Sequence, residues 1–483
     1  MVKTALSRDC LATTRTMRPW FLMRTLPLRR SFAHRFLVAS KTGLPCVHRQ
    51  ISITASKSTA PTKSAGRILY EPIEDVERME YYQQGGYHPV QIGDCFHNRY
   101  RVVHKLGHGT YSTIWLARDE LSKRYVAIKI CTADSSHSEL GVLSQLSGPL
   151  RSSDVGAAMI PSILDRFNIN GPNGNHACLV TSPARMSLSE AKNGSWIGLL
   201  QIEVARALAA QLVTVIRYVH SRGFVHGDLH HGNILFQPQS DFDHLSTQEL
   251  YELYGEPQLE PVNRLDGQKP PPEVPKHGVV PIWLGTLSEK LTLSEARIIL
   301  TDFGKTFSPA RQERFESFTP LAIRPPEARF EPTIPLSFSS DIWTLACTIW
   351  GIIAQRPLFE GFLTNEDDMT WQQIAALGPL PTEWWKKWDR RNNHFTDDGV
   401  PNNRATSQYK SLEESFELNV QRPLDQEGMP PLEPSERDAL FRMLRPMLSF
   451  RPEDRPSAQQ VLESEWMVRW AIPEYDKVRL QRF

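Results

Sequence analysis

The sequence predicts an α+β chain, with strands gathered early and helices late. Three observations predict it. β-prone segments crowd residues 100–117, 125–130 and 176–181, while long apolar-periodic segments hold 200–221, 339–353 and 435–447. Strands followed by helices is the α+β order. Between them lies Phe224-Val-His-Gly-Asp-Leu-His-His-Gly-Asn-Ile-Leu-Phe236, a polar run inside apolar flanks. Such a run reads as a tight loop between two short buried strands, with its polar groups turned into a cleft.

The totals narrow the function classes. A chain of 483 residues allows about three domains. Its 40% hydrophobic and 23% charged residues are ordinary for a globular protein. A formal charge of +1 gives no reason to expect nucleic acid or an acidic membrane as a partner. Six cysteines lie far apart without a Cys-x-x-Cys pair, which argues against zinc and disulfide scaffolds and fits a reducing compartment. No run of 18 apolar residues appears, so no transmembrane helix is expected.

Residues 1–67 are basic and rich in Ser and Thr, with Asp9 as the one acidic residue. That composition matches a mitochondrial transit peptide or a disordered basic tail. Residues 68–98 read as an ordered lead-in with turns at Gly85-Gly86 and Gly93-Asp94. In Leu106-Gly107-His108-Gly109-Thr-Tyr-Ser112-Thr-Ile114 two β-prone arms flank a Gly-x-Gly turn. Glycine lets a backbone come close to phosphates; a strand, not a helix, follows it, which argues against a dinucleotide-binding turn. Lys129 sits in the apolar strand Val126-Ala127-Ile128-Lys129 and needs a partner. Glu139, ten positions on, opens a helical stretch and is the candidate. The segment 176–184 reads as a strand running into a linker.

Residues 200–221 carry apolar residues at helical spacing, and Gly223 can cap that helix. It leads into the polar loop, where Asp228 and Asn233 stand with four residues between them. A carboxylate that accepts a proton and an amide oxygen that ligates Mg²⁺ suit phosphoryl transfer. Residues 237–297 are polar, then proline-rich, and read as a surface insert, mostly irregular, with one short helix near 246–254. The strand Arg297-Ile-Ile-Leu-Thr-Asp302-Phe-Gly304 ends in Asp-Phe-Gly. The helix opening at Asp341 is apolar on nearly every face and belongs mid-domain. A second insert, 362–433, carries Trp371, Trp384, Trp385 and Trp388. It is either a partner-facing element or packing on the body of the domain.

Taken in order, Gly107-x-Gly109-x-x-Ser112-x-Ile114, Ala127-Ile-Lys129, His226-x-Asp228…Asn233, Asp302-Phe-Gly304, Pro326-Glu327, Ser340-Asp341-Ile-Trp343 and Arg455-Pro-Ser resemble the eukaryotic protein kinases over residues 99–470. Gly85-Gly-Tyr-His-Pro-Val-Gln-Ile-Gly-Asp94, the Gly-His-Gly loop and Pro281-Ile-Trp-Leu-Gly285 resemble the SR-protein kinases, of fungal type. The resemblance implies a two-lobed fold: a small lobe over 99–181, a large lobe over 185–470 with both inserts, and a tail over 471–483. It implies ATP and Mg²⁺ as cofactors. Asp228 would be the base, Lys129 would hold the phosphates and pair with Glu139, and Asn233 and Asp302 would hold the metal. Leu106, Gly107, His108, Gly109, Ser112, Ile114 and Ala127 would line the nucleotide site, with Thr181, Ser182 and Ala184 at the adenine. Glu327 would pair with Arg455, and Asp341 would brace the loop.

Two residues depart from that pattern. Gly227 stands where an arginine usually binds an activating phosphate, so this control is expected to be absent. His230 stands where a lysine usually faces the γ-phosphate. Facing that phosphate and near Asp228, its pKa is expected to rise, giving an alkaline fall in activity. The implied function is a serine/threonine protein kinase for protein substrates, Arg/Ser-rich ones included, monomeric and sited in cytoplasm and nucleus. The alternatives are an aminoglycoside- or choline-type kinase, which the run His-Gly-Asp-Leu-His-x-Gly-Asn also resembles, and a pseudokinase scaffold.

Overall fold

The computed structural model describes residues 69–135, 138–147, 154–239, 241–396, 402 and 410–480. The basic extension over 1–67 lies outside them. Six antiparallel strands, in the order β1-β2-β3-β4-β6-β5, form the small lobe. They are β1 (Cys95–Phe96), β2 (Tyr100–Gly109), β3 (Ser112–Asp119), β4 (Arg124–Cys131), β5 (Ile163–Gly171) and β6 (Gly174–Thr181). Side chains alternate across this sheet. Val102, Trp115, Ala117, Val126, Ile128 and Val180 share one buried cluster, while Val103, Leu116 and Tyr125 enter another. Helix α1 (Ser138–Leu146) turns Val142, Leu143 and Leu146 into the large-lobe core.

The large lobe is helical. After α2 (Leu188–Gly194), helix α3 (Ile202–Ser221) runs through its centre, and Ala205, Leu208, Leu212, Ile216 and Val219 are buried along it. The short strands β7 (Ile234–Phe236) and β10 (Ile298–Leu300) pair antiparallel beneath the cleft loop. Between them come α4 (Thr247–Tyr254) and the hairpin of β8 (Leu259–Pro261) and β9 (His277–Val279). Then follow α5 (Glu327–Phe330), α6 (Phe338–Ile353), α7 (Glu366–Leu377), α8 (Thr382–Lys387), α9 (Leu412–Phe416), α10 (Arg422–Gln426), α11 (Pro434–Met447), α12 (Ala458–Leu462) and α13 (Ile472–Leu480). Helix α6 is buried from Ser340 to Ile353, as its all-round apolar sequence requires.

Three expectations stand differently against this fold. The segment 237–297 is no surface appendage. Its helix α4 starts on the Ser246/Glu249 capping box, and Phe242, Leu250, Ile282 and Leu284 pack onto Val103, Leu116 and Tyr125 of the small lobe. Asp243 accepts from the Tyr125 amide at 2.9 Å, Tyr251 donates to Val103 O at 2.8 Å, and the Ile282 amide donates to Lys105 O at 2.8 Å. Second, of the two readings of the tryptophans in 362–433, packing on the body of the domain is the one seen. Trp371, Trp384 and Trp388 are buried. Trp384 stacks on Phe330 at 5.3 Å, and the Trp388 indole donates to Asp367 at 2.8 Å. Burial of a ring with its N–H paired is lobe packing. Third, residues 471–480 are no separate tail: Val478 of α13 is buried and its carbonyl accepts from Arg297 at 3.2 Å.

Candidate active site

The cleft loop is fixed at both ends. Helix α3 stops at Gly223, whose φ of +80° is the left-handed conformation that ends helices. Val225 then exchanges amide hydrogen bonds with Phe307, at 2.8 and 3.1 Å. At the other end β7 is locked to β10. Asp341, in the first turn of α6, braces the middle from below. It accepts from the His226 amide at 2.7 Å, the Gly227 amide at 3.0 Å and His220 Nε2 at 2.9 Å. Burial would raise its carboxyl; the His220 hydrogen bond and charge, His226 and the Gly227 amide outweigh that and hold it below its ordinary value. His226 is wholly buried, edge-on to Phe303, with Nε2 3.1 Å from Thr301 O. Burial keeps that imidazole's pKa low.

Asp228 faces the cleft with 16% of its side chain exposed. Its Oδ1 is buried without a hydrogen-bond partner among the described residues. Burial first, then the neighbouring Asp302 carboxylate, lift its pKa from 3.8 to about 6, against the pull of Lys305. Asn233 is buried and donates Nδ2 to Asp228 O at 2.8 Å. Asp302 sits at φ +60° after β10, in strained left-handed backbone, and leaves 48% of its side chain open. Lys129 Nζ lies 2.6 Å from Glu139 Oε2 and 3.7 Å from Asp302 Oδ1. Burial lowers the lysine's pKa, but those two carboxylates outweigh it and raise it. The short spacing of ten positions from Lys129 to Glu139 suffices because α1 is the next element after β4 and Glu139 lies in its first turn.

Above this cluster Gly107, His108 and Gly109 close the β2–β3 turn, with Ser112 buried and Ile114 opposite Lys129. Ala127 pairs with Thr181, so Thr181, Ser182 and Ala184 leave the sheet beside β4. Leu106 instead packs against the cluster formed with α4. Glu327 and Arg455 stand apart from the cleft. They make a buried two-point pair at 2.8 and 2.7 Å, and the arginine also donates to Ser449, Phe450 and Ser339 carbonyls.

The expectation for His230 is overturned. Its Nδ1 accepts the Gly232 amide at 3.0 Å, and its Nε2 stands 3.8 Å from Asp228 Oδ1. Burial, and then His226, lower its pKa; Asp302 opposes this without prevailing. The imidazole is therefore a neutral loop cap, not a raised imidazolium.

Sequence reasoning missed two groups. His220 carries its signal in its place, the last turn of α3 just before the loop. Arg314 carries none. It donates to Lys305 O at 2.5 Å, stacks over Phe307 at 4.7 Å, and its carbonyl accepts the Leu336 amide at 2.6 Å. Gly227, at φ +78°, would bring a Cβ within 2.9 Å of that same Lys305 O. The segment following Asp302 is thus held by its own arginine where Gly227 offers nothing.

These residues fit a nucleotide with its metal. Among the described residues no three His, Cys, Asp or Glu gather as a self-sufficient metal site. The Asp302 carboxylate neighbours Asp228, and the Asn233 amide is tied to the Asp228 carbonyl, as suits Mg²⁺ shared with phosphates.

Comparison with known proteins agrees with the geometry. The protein kinase domain family matches residues 100–246. A serine/threonine protein kinase of Aspergillus fumigatus is 26% identical over 86% of this chain and 96% of its own length. The serine/threonine-protein kinase SRPK of Physarum polycephalum is 26% identical over 81% of this chain and 91% of its own. Human SRSF protein kinase 3 is 34% identical over a shorter stretch, 35% of this chain and 30% of its own. A kinase domain of known crystal structure shares the fold, with a TM-score of 0.54 at 17% identity, covering 79% of this chain and 98% of that one. The chain thus carries a match to the protein kinase domain over residues 100–246 and is similar over most of its length to serine/threonine protein kinases, the SR-protein kinases among them.

Proposed function

We propose that the chain transfers the γ-phosphate of ATP to Ser or Thr hydroxyls of Arg/Ser-rich proteins, as a monomer in cytoplasm and nucleus. The observation that carries the site assignment is the convergence of Lys129, Glu139 and Asp302 within 3.7 Å beside Asp228. Asp228 is ionised at pH 7 and takes the proton of the attacking hydroxyl on its unpartnered Oδ1. Lys129, held by Glu139, presents its ammonium to the α/β-phosphates. Asn233 and Asp302 would hold Mg²⁺, which supplies charge neutralisation on the phosphates. Asp341 and His226 keep the base in place through the loop amides. Catalysis on this reading is positioning and charge stabilisation. On this reading the domain takes in β1 at Cys95–Phe96, ahead of the expected start at residue 99, and α13 belongs to it.

The Arg/Ser-rich substrate class rests on the relatives named SRPK and SRSF protein kinase. The buried Glu327–Arg455 pair and the buried helix α6 favour a protein substrate over a small alcohol. Purified protein incubated with labelled ATP, Arg/Ser peptides, choline and an aminoglycoside separates the readings. Label on the peptides alone is expected. Label on choline or the aminoglycoside overturns the protein-kinase reading, and no label anywhere overturns catalysis.

A further inference from the structure

The lead-in reaches the glycine-rich turn. Gly85, Gly86 and Tyr87 form a short strap. The Gly85 amide donates to Asn173 O at 2.8 Å, and the Asp134 and Ala133 amides donate to Gly85 O and Gly86 O at 2.9 and 3.1 Å. Asn173 Nδ2 donates to Tyr87 O at 2.7 Å and to Glu273 O at 3.0 Å. The strap is therefore tied to the β5–β6 turn, to the end of β4 and, through Asn173, to the insert. Its path is tight: a Cβ on Gly86 would lie 1.9 Å from Tyr81 O.

Tyr87 is 3% exposed, and its ring packs on Tyr82 at 5.5 Å and Tyr81 at 6.2 Å. Its hydroxyl donates to Gly109 O at 2.7 Å and lies 3.3 Å from Thr110 O. The turn it touches is otherwise open, with His108, Gly109, Thr110 and Tyr111 all exposed. Burial and the nearby Glu77 raise the phenol's pKa, so it stays a donor.

In a trans peptide the carbonyl and the following amide point opposite ways. Holding Gly109 O toward Tyr87 therefore turns the Thr110 amide away from Tyr87, and the contact to Thr110 O does the same for the Tyr111 amide. Successive amides turned one way make an anion-binding concavity. We propose that Tyr87 is a positioning residue for ATP: from outside the nucleotide site, its hydroxyl fixes the peptide planes whose amides receive the phosphates. The proposal rests on the phosphoryl-transfer reading above and adds to it a residue of the lead-in.

The test is Tyr87→Phe in the full chain, which keeps the ring packing and removes only the hydroxyl. Affinity is read by direct binding of a fluorescent ATP analogue, alongside KM for ATP, KM for an Arg/Ser peptide, and Tm. One lost hydrogen bond of ~1 kcal/mol corresponds to about fivefold weaker nucleotide binding. The expected result is that fivefold rise in analogue Kd and in KM for ATP, with peptide KM and Tm nearly unchanged. Unchanged nucleotide affinity overturns the proposal. So does an equal rise in both KM values with a lowered Tm, which marks a merely structural tyrosine. A wild-type chain that binds no analogue overturns the phosphoryl-transfer reading and this proposal with it.

Discussion

Asp228 offers a prediction in which activity and stability move oppositely. Its carboxyl is lifted from 3.8 to about 6, first by burial and then by Asp302. A rise of about two pH units at 1.4 kcal/mol each means that ionising this group in the folded chain costs about 3 kcal/mol more than in water. With both substrates below saturation, kcat/KM reports the free enzyme's base. It is expected to be half its plateau at about pH 6 and roughly a tenth of it at pH 5. An aspartate at its ordinary value would still be ionised there. The stability consequence has the reverse sense. Because the folded pKa lies above the unfolded one, Asp228 favours the fold below the unfolded value of 3.8, and that contribution is lost as pH rises through about 6. Asp228→Asn is therefore expected to lower transfer at least about a hundredfold. It should also raise stability at pH 8 by ~1–3 kcal/mol, with little gain at pH 4. The assays are initial rates from pH 5 to 9, with analogue binding as a control, and urea unfolding at pH 4 and pH 8. A flat rate profile from pH 7 to pH 5, or a variant no more stable than wild type at pH 8, refutes the reasoning.

Other outcomes follow from the same geometry. Because His230 is neutral, rates from pH 7 to 9 are expected to be flat in wild type and His230→Ala alike; an alkaline fall lost in the variant would restore the imidazolium. Lys129→Met removes the phosphate-facing charge and is expected to cut kcat/KM for ATP at least tenfold, on the order of a lost charge-assisted contact, while circular dichroism is unchanged. Gly227→Arg is expected to lose ~1–3 kcal/mol of stability to strain and to gain no dependence on phosphate. Phosphatase-treated wild type should keep its rate, and loss of rate with phosphate mapped to residues 305–324 would contradict this. Arg455→Ala leaves Glu327 buried and unpaired and is expected to cost about 3–5 kcal/mol in denaturant unfolding; a loss under 1 kcal/mol would show the pair to be dispensable.

What could be read from the sequence was local. The strands around Gly107 and Gly109, helix α3 and the polar loop with Asp228 and Asn233 all declare themselves by periodicity and by glycine placement. The Lys129–Glu139 spacing was legible as a candidate and the structure brings the two within 2.6 Å. What was not legible depends on neighbours distant in the chain. The His230 shift needs knowledge of what buries it and of His226. The inward turn of Trp384 needs Phe330, and the role of Tyr87 needs a turn 22 positions away. The segment 237–297 misled because its buried residues, Phe242, Leu250, Ile282 and Leu284, are few and stand on either side of a long polar and proline-rich stretch. They are held by a surface that another part of the chain supplies.

That arrangement has a consequence for how the chain is made. Tyr125 and Asp243 are separated by 118 positions, and Val103 and Tyr251 by 148. At a synthesis rate of roughly 5–20 residues per second, the covering segment leaves the ribosome about 6–30 seconds after the sheet it covers. During that interval Val103, Leu116 and Tyr125 present a bare apolar face. Helix α3, the centre of the other lobe, emerges before the cover does. The first lobe to be translated thus stays unfinished until part of the second is already out, and its apolar face is open to chaperones, or to aggregation, while it waits for residues 242–284.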